Sequence, residues 1–174
     1  MKKILVFIIF NLFVLFCFSQ NTPHPENGEE KMYNDSGQLE YSAYYKHGKL
    51  DGEEKMYYKN DGQLDWSRYY KHGKLVGEEK FYYHNGQLKQ IGNNKNGKSN
   101  GEVKGYYENG QLEYNRYYKH GKLDGEEKWY YKNGQLKRTE YYKDGKQDGE
   151  RKMYYENGQL KYMDHWKDGK IIIQ

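Results

Sequence analysis

The chain has 174 residues, of which 29 are lysine or arginine and 25 are aspartate or glutamate, so its net charge is only +4. Acidic and basic residues are mixed along the whole length and form no basic block, which argues against a nucleic-acid partner. With one cysteine the chain forms no internal disulfide, and its 22 tyrosines and few aliphatic residues predict a thin aromatic layer instead of a deep core.

The N-terminus has the pattern of a secretory signal peptide. Lys2 and Lys3 precede an apolar run from Ile4 to Phe18. A run of about 15 residues is shorter than the roughly 20 that a membrane-spanning helix needs. We therefore predict a cleaved signal peptide over 1–19, with an uncleaved anchor as the alternative.

Two further features of the N-terminal region concern lipidation and the start of the folded part. Cys17 follows the bulky Phe16, which disfavours lipidation because a lipoprotein signal has a small residue there. Residues 20–27 carry both prolines and are predicted to be a linker. The mature protein is thus expected to be exported (periplasmic, cell-surface or secreted), and nothing beyond the signal supports membrane association.

Residues 28–174 consist of one pattern of 24 residues written six times. Each copy starts with a glycine, here called position 0. The leading glycines are Gly28, Gly52, Gly77, Gly101, Gly125 and Gly149. A fixed period of this length predicts a repeat protein in which each unit is stabilised by its neighbours. No separate catalytic domain is expected, so the protein is predicted not to be an enzyme.

Each copy contains two turn signals. Asn109-Gly110 at positions 8 and 9, which recurs in four copies, predicts a two-residue type I′ turn, because both central residues need positive φ. His120-Gly121 at positions 19 and 20 predicts a second turn of the same kind. The fold class is therefore all-β: an elongated, twisted antiparallel meander of β-hairpins with about twelve strands.

These turns predict the register. Tyr107 should oppose Leu112 across the first turn, and Tyr118 should oppose Leu123 across the second. Position 17 should oppose position 0, so that an aromatic ring covers each repeat glycine.

Two copies depart from the pattern. The second has one extra residue in Asn60-Asp61-Gly62, which predicts a three-residue loop with a bulge. In the third, residues 91–94 replace the aromatic stretch and Gly105 follows where a large apolar residue is expected, so this copy is predicted to lose its second strand and to be the weak point of the sheet.

The even period places the same positions of every copy on one face. That face collects aromatic residues that either pack together as a core or form an exposed apolar strip for binding. The candidate binding residues are Tyr58, Trp66, Tyr70, Tyr83, Tyr107, Tyr114, Tyr118, Trp129, Tyr131, Tyr142, Tyr155 and Trp166. The opposite face is mainly Lys, Glu, Gln and Asn, with tyrosines at positions 5 and 16.

No catalytic, metal or cofactor site is predicted. His47, His72 and His120 occupy the turn position that Asn96 and Asp144 occupy in other copies, which indicates tolerance of positive φ and not ligand chemistry. The Gly-Glu-Glu segments lie on a solvated repeated surface, where no carboxylate pair is sheltered for acid–base work.

The repeated Tyr-Tyr-x-Asn-Gly-Gln-Leu segments resemble the MORN repeat, and more closely the bacterial MORN-repeat variant of YwqK-family antitoxins in toxin–antitoxin systems. They span Tyr82–Leu88, Tyr106–Leu112, Tyr130–Leu136 and Tyr154–Leu160. The resemblance implies a scaffold of β-hairpins that contacts a protein or lipid. The expected partner is a protein, which the resemblance suggests is a toxin; the alternative is a glycan or an envelope component bound by the aromatic face.

Overall fold

The computed structural model describes residues 24–172, all of whose regular structure is β. The strands are β1 (Asn27–Tyr33), β2 (Leu39–Lys46), β3 (Lys49–Tyr57), β4 (Leu64–Lys71), β5 (Lys74–Tyr82), β6 (Leu88–Lys95), β7 (Lys98–Tyr106), β8 (Leu112–Lys119), β9 (Lys122–Leu123), β10 (Gly125–Tyr130), β11 (Leu136–Lys143), β12 (Lys146–Gln147), β13 (Gly149–Tyr154), β14 (Leu160–Lys167) and β15 (Lys170–Ile172). The signal peptide prediction lies outside the described residues. The described part of the chain contains no helix long and apolar enough to cross a membrane.

All fifteen strands belong to one antiparallel sheet, which confirms the predicted meander. Strands adjacent in sequence are paired, except that β9 and β10 both pair with β8, and β12 and β13 both pair with β11. The predicted count of about twelve was too low. Asp124 separates β9 from β10, and Asp148 separates β12 from β13, so two strands are each divided in two. Residues 170–172 add one strand more.

The second turn of each copy is confirmed. His120 has a φ of 52° and Gly121 a φ of 83°, as a type I′ turn requires. Tyr118 pairs with Leu123. All six turns of this kind have positive φ at their His, Asn or Asp residue, which explains these residue types without any ligand.

The first turn differs from the prediction. The N–H of Gly110 donates to the carbonyl of Tyr107, and the N–H of Tyr107 donates to the carbonyl of Gln111, so the loop has three residues and not two. Only Gly110 has positive φ, because the Asn109 side chain accepts the N–H of Gln111 at 3.1 Å and stabilises an ordinary turn before the glycine.

The longer loop shifts the local register. Tyr106, not Tyr107, pairs with Leu112, and Glu113 forms a bulge that restores the predicted pairing of Gly105 with Tyr114. Because the bulge compensates for the extra loop residue, the remaining pairs of this hairpin, including Gly101 with Tyr118, lie where the sequence placed them.

The second and third copies both differ from the prediction. In the second, Tyr58 and Gln63 bracket a loop of four residues instead of three. In the third, β6 has the full eight residues and pairs with both neighbours, so the predicted loss of its second strand is wrong. Gly92 leaves room for the buried Val103 on the neighbouring strand, and backbone pairing holds the strand without aromatic residues.

A second bulge lies between consecutive copies. Opposite Tyr117 the chain takes an extended path through Gly125, whose φ of 135° favours glycine. The Cβ of Tyr117 lies 3.3 Å from where a Cβ would stand on Gly125. The predicted cover by position 17 is therefore wrong: the nearest side chain belongs to position 16 of the preceding copy. Tyr44 over Gly52 repeats the arrangement.

The sheet has one layer and very little core. Among the described residues the buried hydrophobic side chains are Ala43, Tyr45 and Val103. Without a second layer, stability depends on strand pairing and on contacts between neighbouring copies, and no other part of residues 24–172 covers either face of the sheet.

Candidate functional site

The twelve predicted binding residues lie in two places. Seven lie on the strands and five at the loop end of the strands. Tyr155 is exposed, at 48%, and the other eleven are half-buried. They therefore do not form an exposed apolar strip, and their role in binding stays a prediction.

The loop-end tyrosines connect one copy to the next. The hydroxyls of Tyr83 and Tyr107 donate to the carbonyls of Tyr106 and Tyr130 at 2.7 Å, and Tyr58 and Tyr131 make the same bond at 2.8 Å. We call these four bonds the tyrosine ladder. Asparagines at position 8, such as Asn85, donate in parallel to the next loop. These tyrosines thus have a structural task.

The opposite end of the sheet has its own connection. In five of the six copies the backbone N–H at position 19 donates to the side chain of the Asn or Asp that precedes the leading glycine, as for His72 with Asp51 and Asp144 with Asp124, both at 3.1 Å. Five of the six turns are thereby tied to the residue that precedes the leading glycine of their own copy, which holds these turns together at one end of the strands.

The strand-borne aromatic residues share their face with arginines, and we call it the arginine face. The guanidinium of Arg68 lies 4.3 Å from the Trp66 ring. That of Arg116 lies 4.3 Å from Tyr114 and 4.7 Å from Trp129. Cation–π attraction holds these rings under charged groups, so the face is polar as well as aromatic.

The remaining strand-borne candidates follow the same scheme. The hydroxyl of Tyr142 donates to Glu140, and burial, followed by that carboxylate, raises the pKa of Tyr142 to about 12. Trp166 donates its indole N–H to Asp164. Tyr70 and Tyr118 pair with the repeat glycines of their own copies.

Carboxylates balance the arginines. Glu127 is only 4% exposed; its Oε1 lies 2.5 Å from Arg116 Nε, although that N–H is not aligned as a hydrogen bond. Arg138 bridges Glu127 and the equally buried Glu140 at 3.5 Å. Burial, and then the proximity of Glu127, raise the pKa of Glu140, while Arg138 opposes that shift.

The final copy contains a stronger pair. Arg151 binds Asp164 through two hydrogen bonds. Those bonds hold the pKa of Asp164 below its usual range and raise that of Arg151. These pairs neutralise charge on the arginine face and do not resemble an acid–base couple, which needs a sheltered substrate site.

The other face, which we call the lysine face, carries one ion pair per copy. A glutamate at position 1 binds the lysine at position 3, for example Glu53 with Lys55 at 2.8 Å and Glu126 with Lys128 at 2.7 Å. The hydrogen bond from each lysine to its glutamate raises the lysine pKa in all six copies. These pairs cancel their own charges, while the lysines at positions 18 and 21, such as Lys46 and Lys49, add positive charge to the same face.

Exposed tyrosines run across the lysine face. They occupy position 16 of four copies, and we call them the tyrosine row: Tyr44, Tyr69, Tyr117 and Tyr141, which are 41–50% exposed. Asn93 takes the same position in the third copy. The sequence predicted that these tyrosines lie on this face, but they were not among the predicted binding residues. The alternation of side chains along a strand indicates the face of a residue and not how exposed it is.

Grooves accompany the row. One of about 440 Å³ lies over Ser42, between the ion pairs of two neighbouring copies and beside Tyr44. A second of about 320 Å³ lies one copy further along, over Ser67 and beside Tyr69. The small side chains at position 14 create these depressions. A smaller groove of about 170 Å³ adjoins Trp129 on the arginine face.

Residues 24–172 contain no group of three or more His, Cys, Asp and Glu side chains placed to hold a metal ion. A family model described as MORN repeat variant matches residues 26–47, 75–96, 99–120, 123–144 and 147–168. The second copy, which has the longer loop, lies between the first two matched segments. Comparison with curated proteins gives no match.

Proposed function

The chain belongs to the MORN repeat variant family, and we propose that it is an exported, non-enzymatic scaffold that binds another protein. The observation that supports this proposal is the tyrosine row, whose exposed rings stand at the same position of four copies on a face that no other part of the described chain covers. Exposed aromatic patches mark interaction sites, and tyrosine is enriched in protein interfaces.

Site-specific photocrosslinking tests this function. A benzoylphenylalanine at Tyr117 should capture one defined protein from cell-envelope extract, and the matched position Tyr162, exposed on the arginine face, should not. Capture should fail when the other three tyrosines of the row are changed to leucine. Absence of any protein adduct from either face would contradict the proposal.

The proposal includes two finer statements. Export predicts that the protein from the envelope fraction begins at Gln20, and an intact chain confined to the cytoplasm would contradict this. The antitoxin-like role, suggested by the resemblance to YwqK-family proteins, predicts that the captured partner inhibits growth when expressed alone. Co-expression of this chain should then restore growth.

A glycan or envelope component bound by the arginine face is the second candidate. It is favoured by the groove beside Trp129, lined by Lys137 and Arg138, because rings and charged donors together suit sugars. Retention on cell-wall polysaccharide that is lost in the Trp66→Ala and Trp129→Ala variants would support this candidate.

A further inference from the structure

We propose that the tyrosine row binds a proline-rich segment of a protein partner, in the polyproline II conformation, lying across the strands. This inference rests on the proposed protein-binding function and names the chemistry of the partner. It is carried by four properties of the lysine face: its spacing, its grooves, its spare hydrogen-bond donors and its charge.

The spacing of the row fits such a segment. Neighbouring strands are about 4.8 Å apart, so position 16 recurs every ~9.6 Å across the sheet. A polyproline II helix has three residues per turn with a rise of ~3.1 Å, and therefore repeats every ~9.3 Å. Every third residue of the ligand would then meet an equivalent tyrosine.

The grooves give the prolines a place. The depressions over Ser42 and Ser67 lie one copy apart, each with a tyrosine of the row at its rim. Aromatic-lined grooves bind polyproline II segments because a pyrrolidine ring packs against an aromatic ring, and because the segment loses little conformational entropy on binding. An extended β-strand ligand, with side chains alternating every two residues, does not have this period.

The face also supplies the hydrogen bonds that the ligand lacks. A polyproline II backbone makes no internal hydrogen bonds, so its carbonyls need external donors. Among residues 24–172, the hydroxyls of Tyr44, Tyr69 and Tyr117 have no hydrogen-bond partner, whereas Tyr141 donates to Glu126. Each lysine ammonium carries three donors, and its glutamate uses one of them.

Charge selects the kind of segment. Six glutamate–lysine pairs cancel their own charges, but the lysines at positions 18 and 21, such as Lys46 and Lys49, lie on the same face just beyond the row and make it basic. A proline-rich segment without basic residues therefore fits this surface better than a polybasic one. Asn93 divides the row into two platforms of two rings each, so a ligand of about six residues fills one platform.

The test uses a fluorescent peptide of four Pro-Pro-Ala units and a control of four Gly-Gly-Ala units, which lacks the polyproline II preference. Fluorescence anisotropy with the mature chain should show binding of the first peptide at least tenfold tighter than the second. Leucine at all four tyrosines of the row should weaken binding tenfold or more. Leucine keeps the Cβ and Cγ contacts over glycines such as Gly52, and circular dichroism verifies the fold.

Two further variants make the test specific. Tyr162→Leu removes a ring of similar exposure from the arginine face and should change the affinity less than twofold. Asn93→Tyr joins the two platforms and should tighten binding of the peptide severalfold. The inference is overturned if the leucine variant binds normally, if Tyr162→Leu weakens binding equally, or if Asn93→Tyr has no effect.

The outcomes also separate this inference from the proposed function. If the peptide does not bind but photocrosslinking at Tyr117 still captures a protein, the proline-rich ligand is wrong and the scaffold function stands. If neither is observed, both fail. Retention on polysaccharide that depends on the four tyrosines would assign the row to a glycan and overturn the inference.

Discussion

Removing one hydroxyl from the tyrosine ladder should destabilise the protein, whereas the same change in the last copy should not. In Tyr107→Phe the carbonyl of Tyr130 loses a donor 2.7 Å away in a partly buried position. A hydrogen bond of this kind contributes about 1 kcal/mol to the free energy of unfolding. We expect that loss, equivalent to about 2–4 °C in Tm for a chain of this size.

Tyr155→Phe is the matched control. Tyr155 keeps the same lysine contact as Tyr131, with Lys161 at 5.5 Å from its ring and Lys137 at 5.5 Å from that of Tyr131, but its hydroxyl has no partner among residues 24–172. We expect a change near zero. Combining the Phe changes at three ladder tyrosines should lower the free energy of unfolding by ~3 kcal/mol, since distant sites add.

Urea unfolding followed by far-UV circular dichroism measures these differences, and the slope against urea shows whether each variant unfolds in the same cooperative manner. Equal losses for Tyr107→Phe and Tyr155→Phe would refute the ladder, because the effect would then belong to the ring environment. A loss in neither variant would show that water replaces the bond at no cost.

Three further changes should be informative. Arg116→Met removes the nearer of the two arginines beside the buried Glu127 and leaves Arg138 at 3.5 Å. It should lower the free energy of unfolding by about 2–3 kcal/mol, less than the ~3–5 kcal/mol lost when a buried charge keeps no partner. Lys128→Met, in an exposed pair, should cost less than ~1 kcal/mol, and equal effects in urea unfolding would contradict the burial argument. A Cβ on Gly105 would stand 2.2 Å from the Tyr114 ring, so Gly105→Ala should destabilise by about 1–3 kcal/mol, and a double-mutant cycle with Tyr114→Ala should recover most of that loss. The depressed pKa of Asp164 contributes stability that is present above its unfolded pKa and is lost as pH falls through the folded value. The free energy of unfolding of Asp164→Asn should therefore fall less steeply with decreasing pH below pH ~4. An unchanged pH dependence would show that Asp164 does not contribute to it.

The register was largely predictable because it follows from parity and from turns with a strong local preference. The type I′ turn predicted at His120-Gly121 requires positive φ at both residues, and this turn is confirmed. Asn109-Gly110 was misread because asparagine has a second option: its side chain accepts the N–H of Gln111 and supports a three-residue loop. The Asn-Gly dipeptide can therefore form a two-residue or a three-residue loop. The register beyond the loop is preserved because the bulge compensates for the extra loop residue.

The candidate site was less predictable. Arg68 pairs with Glu54 on one neighbouring strand and with Glu79 on the other, and its guanidinium binds Glu79 at 2.6 Å. Both carboxylates flank the arginine, and the alternation of side chains along a strand does not indicate which of the two the arginine binds. Tyr117 lies over the bulge at Gly125, which the period does not reveal.

The contacts that join the copies have nearly constant sequence offsets. The tyrosine ladder spans 23 or 24 residues, and the turn contacts span 20 or 21. Insertion or loss of a whole 24-residue unit therefore preserves the rules by which the remaining units join. Each unit changes the width of the sheet by about 9.6 Å. The number of copies therefore determines the width of the sheet in fixed steps of one unit.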